Sequence, residues 1–321
     1  SVQAGDAYVP RNKSGLSVMA SSLLNQGSSK RQRAQMISQQ DDLGIASGHM
    51  LRWENGHETI DFSARCLTRD LNTELNLLAE SLATPALDEA NLDKAKLEAV
   101  SFLKRNEESV NQKVDRVLLQ NLLDENSPFC PPDPTEKLKT ISQATLPDLE
   151  KFFSTHVVPG AVTLVVAGDV QADQVFAQAE GIFSRWNTGA NHNTLRAKAR
   201  VQKILRASLP IKDSKKSSVC FGQLVPLSET HSDYGSLLIA DGVLVNHPMV
   251  SRFEQALSKN AALENAISSG DFTVKLEPIS NMTRWSMSLA VDPTLVPVSV
   301  KTIKHELRQL SQTGVTAEEF N

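Results

Sequence analysis

The chain has 321 residues, a formal net charge of −4, 40% hydrophobic residues and 22% charged residues. This composition supports packed cores and disfavours intrinsic disorder, and the length suggests two domains of ordinary size. No Lys/Arg run exceeds two residues, and no apolar stretch approaches the roughly 18 residues of a membrane helix. A nucleic-acid binder and a membrane-spanning protein are therefore both disfavoured.

The first part of the chain predicts a strand, two helices and a hairpin. Residues 1–9 alternate loosely and stop before a proline, which is typical of a strand. Residues 15–26 have apolar side chains at helical spacing, and residues 30–43 predict a second helix closed by a glycine. The segments "IASGHMLRW" and "ETIDFSARCL" predict two strands around the turn "ENGH".

A helical region follows. A leucine stripe predicts one helix, and Asp88 can cap the next, which continues through "VNQKVDRVLLQNLL". Thr145 is expected to cap a helix with Pro147 in its first turn. "AVTLVVAGDV" is almost entirely apolar and predicts a strand buried on both faces, and "QADQVFAQAEGIFSRW" predicts an amphipathic helix.

A polar segment near residues 187–201 predicts a linker to a second domain. Beyond it, strands are expected at 216–225, near 272–277 and at 283–291, and helices at 233–246, 249–260 and 295–313. The final "GVTAEEFN" predicts a helix cap and first turn. Because the two halves repeat one order of elements, we expect a weak internal duplication, and we expect the natural chain to extend beyond both ends.

Residues 13–170 carry three segments with a family resemblance: "KSGLSVMASSLLNQGS", the long stretch from "LGIASGHM" to "NLDKAK", and "PTEKLKTISQATLPDLEKFFSTHVVPGAVTLVVAGDV". They resemble the insulinase family of zinc peptidases, which includes pitrilysin and mitochondrial processing peptidase. The resemblance implies an α+β fold of two insulinase-type domains, at 1–190 and 200–321. Each would have a mixed or mostly antiparallel sheet with helices on one face.

Active members of this family carry an HxxEH motif on their first helix, where two histidines bind zinc and the glutamate activates a water molecule. In this sequence the matching positions are Val18, Ser21 and Ser22. The third ligand, a later glutamate, falls at or near Phe102, and a further family glutamate falls at Ala95. Glu98 lies between those two positions, about 5 Å along the helix axis from each.

The family also uses an Arg and a Tyr seven residues apart to bind the substrate carbonyl, and these fall on Ser258 and Asn265 here. Neither residue brings a positive charge or a phenol to an oxyanion. The resemblance therefore predicts no catalytic residues and no bound zinc or other cofactor in this chain, and leaves open whether the chain acts as an enzyme.

Three other kinds of site are disfavoured by local sequence. The seven histidines include no pair at i, i+3 or i, i+4, so a metal site rebuilt from histidines on one helix is disfavoured. The three cysteines have wide spacings and no CxxC, so free thiols are expected. Ser21 and Ser22 lack the G-x-S-x-G context of a serine nucleophile, so small residues filling a former metal pocket are favoured.

One binding role survives the loss of catalysis. In the family, the strand matching Ile45, Ala46, Ser47, Gly48, His49 and Met50 lies at a sheet edge and takes a substrate strand by main-chain hydrogen bonds. The alternative is an ordinary edge strand that is protected in the native assembly.

Three hypotheses follow for function. The first is a non-catalytic domain pair that completes the peptide-binding chamber of a zinc-bearing half, on the same polypeptide or another subunit. The second is a purely structural or interaction protein, and the third a metalloendopeptidase with a relocated metal site. A periplasmic or otherwise exported location is expected. The substrate, the catalytic partner and the oligomeric state are not given by the sequence.

Overall fold

The computed structural model describes residues 1–42, 52–55, 59–107, 110–184, 186, 195–200, 206–209, 216–246, 251–260, 263 and 272–320. These residues form two compact units. The first comprises Ser1–Asn106 and Pro132–Leu195, and the second Glu107–Pro131 and Arg196–Asn321. The predicted domains, 1–190 and 200–321, differ from these units in one segment: residues 107–131 group with the second unit, because the helix they contain packs on the second unit's sheet.

The first unit contains seven helices and one hairpin among its described residues. The helices are α1 Leu16–Leu24, α2 Arg33–Asp42, α3 Leu71–Ala83, α4 Glu89–Glu107, α6 Pro134–Gln143, α7 Leu146–His156 and α8 Ala172–Phe183. The hairpin pairs β1 Arg52–Asn55 with β2 Ile60–Ser63 in antiparallel register. The predicted hairpin is therefore confirmed over these residues.

Helix α1 lies at the centre of the first unit's core. All nine of its residues are buried, and its apolar side chains share one cluster with residues of α3, α4 and α7. Helix α7 begins at the predicted cap Thr145, and the structure adds a capping box in which Thr145 and Asp148 exchange hydrogen bonds. Helix α6 has an equally clear signal, since Asp133 caps it and Pro134 occupies its first turn, but the sequence analysis did not predict it.

Two strand predictions in this unit are wrong. Within the described part of the chain, residues 1–9 form strand bridges only at Val2 and then turn into a short 3-10 helix at Asp6–Tyr8. Residues 161–170 were expected to be buried on both faces, but their only bridge within the described residues is at Val162, and Val165 is 82% exposed. A β-branched, apolar composition favours a strand, but a side chain is buried only where other residues pack against it. No described residue packs closely against Val165.

The second unit is built on an antiparallel sheet of β3 Ser217–Val225, β4 Phe272–Ile279 and β5 Met282–Val291 in the order β3-β5-β4. Its helices among the described residues are α5 Val110–Leu122, α9 Tyr234–Asp241, α10 Arg252–Ser258, α11 Val296–Thr313 and α12 Ala317–Phe320, with one π-helical turn at Gly242–Asn246. The α+β class with antiparallel pairing is confirmed.

Alternation along β5 gives this sheet two different faces. Trp285, Met287 and Leu289 are buried in the core shared with α10 and α11. On the other face α5 packs against β3, and it comes so close to Gly222 that an added Cβ would lie 2.7 Å from Leu118. Arg284 is 2% exposed on this second face.

Candidate functional site

The amino end of α1 is fixed by contacts that do not involve the family's motif positions. Gly15 precedes the helix with a φ of +98°, a conformation that glycine adopts without strain. Asp6 accepts a hydrogen bond from Ser17 in the first turn and forms an ion pair with Lys137 of α6. These contacts set the position of α1 against α6 and the start of the chain.

The three positions that match HxxEH are all buried on α1. Val18, Ser21 and Ser22 are 5%, 6% and 8% exposed, respectively. Ser21 Oγ donates to the carbonyl of Val18 at 2.9 Å, so its hydroxyl is satisfied within the helix. This back-bond is the usual way for a serine inside a helix to pair its hydroxyl.

Ser22 makes the contact that defines the site, because its hydroxyl donates to Glu98 Oε2 on α4. Gln26, just beyond the carboxyl end of α1, donates from Nε2 to both Glu98 oxygens at 3.3 and 3.4 Å. Glu98 itself is exposed. The site is therefore one solvent-accessible carboxylate held by two neutral donors, Ser22 on α1 and Gln26 just after it, and we call these three residues the Glu98 cluster.

Three positions on α4 lie at or near the two glutamates of active family members: Ala95, Glu98 and Phe102. Ala95 is fully buried and contributes no polar group. Phe102, one turn beyond Glu98, is 38% exposed. Glu98, which the sequence placed about 5 Å off the family positions, is the α4 carboxylate that reaches the position of the second histidine.

Gln26 is a functional candidate that the sequence analysis missed. It is 6% exposed and lies just beyond the end of α1, four residues after Ser22. Its contact with Glu98 arises from tertiary packing, so no local sequence pattern marked it.

The residues of this site do not fit zinc. Zinc is bound by imidazole, thiolate or carboxylate, and the α1 positions supply a valine and two hydroxyls. No group of three His, Cys, Asp or Glu side chains able to hold a metal gathers anywhere in the described part of the chain. The Glu98 carboxylate can accept a cation or an N–H donor, and the Ser22 and Gln26 side chains supply none of the groups that bind zinc.

Of the remaining predicted site residues outside α1 and α4, Ser258 lies within the described part of the chain. Ser258 ends α10, where its hydroxyl donates to the carbonyl of Gln255 at 3.1 Å, a contact local to the helix end. Asn265 and the predicted peptide-binding residues 45–50 lie outside the described residues. Their roles stay predictions.

The fold and the site together describe a peptidase-type scaffold whose central helix carries no zinc ligands. Residues 1–128 match the family model described as "Insulinase (Peptidase family M16)", and residues 143–321 match the one described as "Peptidase M16 inactive domain". The chain belongs to peptidase family M16.

Sequence relatives include zinc proteases and processing peptidases. The chain is 24% identical to an uncharacterized zinc protease of Rickettsia felis, over 84% of this chain and 63% of the relative. It is 20% identical to the mitochondrial-processing peptidase subunit beta of Caenorhabditis elegans, over 82% of this chain and 57% of the relative. The chain thus spans less than two thirds of the length of either one.

Solved structures share the fold at low identity. A peptidase M16 inactive domain from Pseudomonas fluorescens superposes with a TM-score of 0.84 at 16% identity, covering 99% of this chain and 74% of that one. The first half of the periplasmic protease PqqL from Escherichia coli has a TM-score of 0.73 at 15% identity, covering 99% and 68%. Among the described helices, none is long and apolar enough to cross a membrane.

Proposed function

We propose that this chain is a non-catalytic M16 domain pair that packs against a zinc-bearing half and completes its peptide-binding chamber. The observation that carries the proposal is α1 itself. The helix is fully buried and fixed by Asp6, yet it presents Val18, Ser21 and Ser22 where the catalytic residues are expected. A peptidase fold without zinc ligands or a general base at these positions can form the wall of a chamber, while a partner half cleaves the peptide.

The comparisons support this proposal in two ways. The chain covers 63% of a zinc protease relative, so a protein of that length has room for further M16 structure. The solved first half of PqqL has the same fold and is part of a longer protease. A periplasmic or exported location is proposed on the same likeness, and the zinc-bearing half is expected on the same polypeptide or on a separate subunit.

Binding of peptide in the chamber is the second part of the proposal. Strand 45–50 is its expected edge. The exposed carboxylate of Glu98, oriented by Ser22 and Gln26, adds an acceptor for a Lys or Arg side chain of a bound peptide.

Two measurements test the proposal. The untagged chain is assayed for cleavage of a quenched fluorogenic peptide library, alone and mixed one-to-one with a zinc-bearing M16 half encoded in the same genome. We expect no chelator-sensitive cleavage by the chain alone, a one-to-one complex by light scattering, and a faster rate in the mixture. Chelator-sensitive cleavage by the chain alone would overturn the proposal and favour a relocated metal site.

The structural or interaction role remains the second candidate. The substitution of both the zinc motif and the Arg/Tyr pair, at Ser258 and Asn265, favours it. Formation of the complex with no change in peptidase rate would select this alternative.

A further inference from the structure

A cavity of about 670 Å³ lies in the first unit, next to the end of α1 and the starts of α2 and α4. Its lining residues fall within 26–34 and 85–94. These two segments meet at a β-bridge between Ser28 and Pro85, both of which line the cavity. The cavity is therefore built by internal segments of the unit, and we call it the α2–α4 cavity.

Two cationic side chains belong to this cavity. Arg33 of α2 and Lys94 of α4 both line it and are both exposed, and neither forms an ion pair with another described residue. Asp88 lines it as well, but its two carboxylate oxygens accept hydrogen bonds from Asn91, at 2.9 and 2.8 Å, where α4 begins. An acidic group that enters the cavity thus meets more positive than negative charge.

The α2–α4 cavity adjoins the Glu98 cluster. Gln26 belongs to both, because it lines the cavity and donates to Glu98. Lys94, Glu98 and Phe102 follow one another at intervals of four residues on α4, so they form one row with a step of about 6 Å. Glu98 and Phe102 are exposed, as Lys94 is. The row offers, in order, a cation, a carboxylate and an aromatic ring.

An extended peptide matches the step of this row. Alternate side chains of a strand point to the same side and are about 6.7 Å apart. Three alternate residues of one peptide can therefore reach the three row positions together. The favourable partners are an acidic residue at Lys94, a basic residue at Glu98 and a large apolar residue at Phe102.

We propose that this row selects extended peptides whose alternate residues are apolar, basic and acidic in that order, with the acidic side chain in the α2–α4 cavity near Arg33 and Lys94. The inference rests on the proposed peptide-binding function and names the class of peptide. The order of the charges is what is recognised, since a peptide with its acidic residue in the middle would place like charges together at Glu98.

The test compares peptides of one composition. The probe is a fluorescein-labelled peptide in which Thr alternates with Leu, Lys and Asp in that order, and the control peptide has the Lys and Asp exchanged. Binding to the intact, untagged chain is measured by fluorescence anisotropy. We expect the control peptide to bind at least tenfold more weakly than the probe.

A charge exchange tests the cavity itself. Lys94→Glu should weaken binding of the probe about tenfold and should favour a peptide with Lys in place of Asp over the probe. The matched variant is Lys104→Glu, at an exposed position of α4 that lies off the row, and it should leave the binding of both peptides unchanged. Because the exchange predicts a gain as well as a loss, poor folding of the variant does not imitate it.

The outcomes separate this inference from the proposed function. Equal binding of the probe and the control peptide would overturn the charge order and leave peptide binding intact. Weaker binding of the probe to Lys94→Glu without preference for the Lys-substituted peptide would overturn the role of the cavity. No binding of either peptide at millimolar concentration would overturn the inference, whereas complex formation with the zinc-bearing half, measured by light scattering, tests the domain-pair role by itself.

Discussion

Ser22 on α1 donates a hydrogen bond to Glu98 on α4 across 76 positions of sequence. The contact joins the position of the family's second zinc-binding histidine to a carboxylate on the helix that carries the third ligand in active members. The two helices therefore approach each other as a zinc site requires, although the ligand atoms from α1 are missing.

This contact predicts that zinc binding can be restored. The triple variant Val18→His, Ser21→Glu, Ser22→His should bind about one zinc ion per chain, because two histidines four residues apart share a helix face and Glu98 is already adjacent. The measurement is zinc content by mass spectrometry after free metal is removed, with the untagged wild-type chain expected to retain none.

The matched control adds Glu98→Gln to the triple variant. We expect zinc affinity to fall by at least about tenfold, since a neutral amide is a poorer zinc ligand than a carboxylate. A folded triple variant that binds no zinc would mean that α1 and α4 do not hold the geometry of a metal site. Equal binding with and without Glu98 would assign the third ligand to another residue.

Arg252 and Glu319 should make the second unit sensitive to acid. Arg252 donates to Glu319 from Nε and Nη2, the latter at 2.7 Å, and both side chains are 12% exposed. The Arg252 hydrogen bond is the main cause that lowers the pKa of Glu319 from 4.5 to about 2. A depressed folded-state pKa stabilises the fold above the unfolded value, and this contribution is lost as pH falls from about 4.5 towards 2.

Glu319→Gln should therefore cost about 2 kcal/mol of unfolding free energy at pH 7. Urea unfolding at pH 7 and pH 3 should show the difference from wild type shrinking in acid, whereas Glu150→Gln should match wild type at both. A difference that is equal at the two pH values would mean that the charge of Glu319 is not what stabilises the contact.

Gly15→Ala should destabilise the first unit through two effects. The φ of +98° strains any side chain, and the new Cβ would lie 2.7 Å from Cγ1 of buried Ile141. We expect a loss of about 2–3 kcal/mol. Gly168→Ala has a φ of +152° but no atom within 4 Å of the added carbon, so it should cost only about 1 kcal/mol. Thermal unfolding of both variants measures the difference, and equal losses would show that Ile141 moves aside freely.

Trp285 and Asp241 form a buried hydrogen bond, with Trp285 Nε1 donating to Asp241 Oδ1 at 2.9 Å. Asp241→Ala should cost about 2 kcal/mol, because the indole N–H loses its acceptor inside the core. Trp285→Phe removes the donor and keeps an aromatic ring. In the double-mutant cycle, measured by denaturant unfolding, we expect a coupling of about 1 kcal/mol, and additive losses would show that the contact contributes little.

Elements with strong local signals were predictable from sequence. Apolar spacing predicted α1, and the Thr145 cap with Pro147 predicted α7. The strands 216–225, near 272–277 and 283–291 are found as β3, β4 and β5. In these segments periodicity, capping and tertiary packing all favour the same structure.

Features set by tertiary contacts were not predictable. Composition alone made 161–170 look doubly buried, but burial depends on what covers a face, and Val165 is exposed. Residues 107–131 read as a continuation of the first domain, yet α5 packs on the sheet of the second unit. Sequence register placed Glu98 off the family's ligand positions, while the packing of α4 against α1 brings it to Ser22.

Asp6 holds α1 through Ser17 and Lys137, neither of which is one of the three motif positions. This anchor of α1 therefore lies outside the positions that carry the zinc motif in active family members. Substitutions at residues 18, 21 and 22 that keep the packing of the core are expected to leave this anchor intact. On the proposed function, an M16 chain anchored in this way keeps the shape of its first unit without zinc ligands on α1.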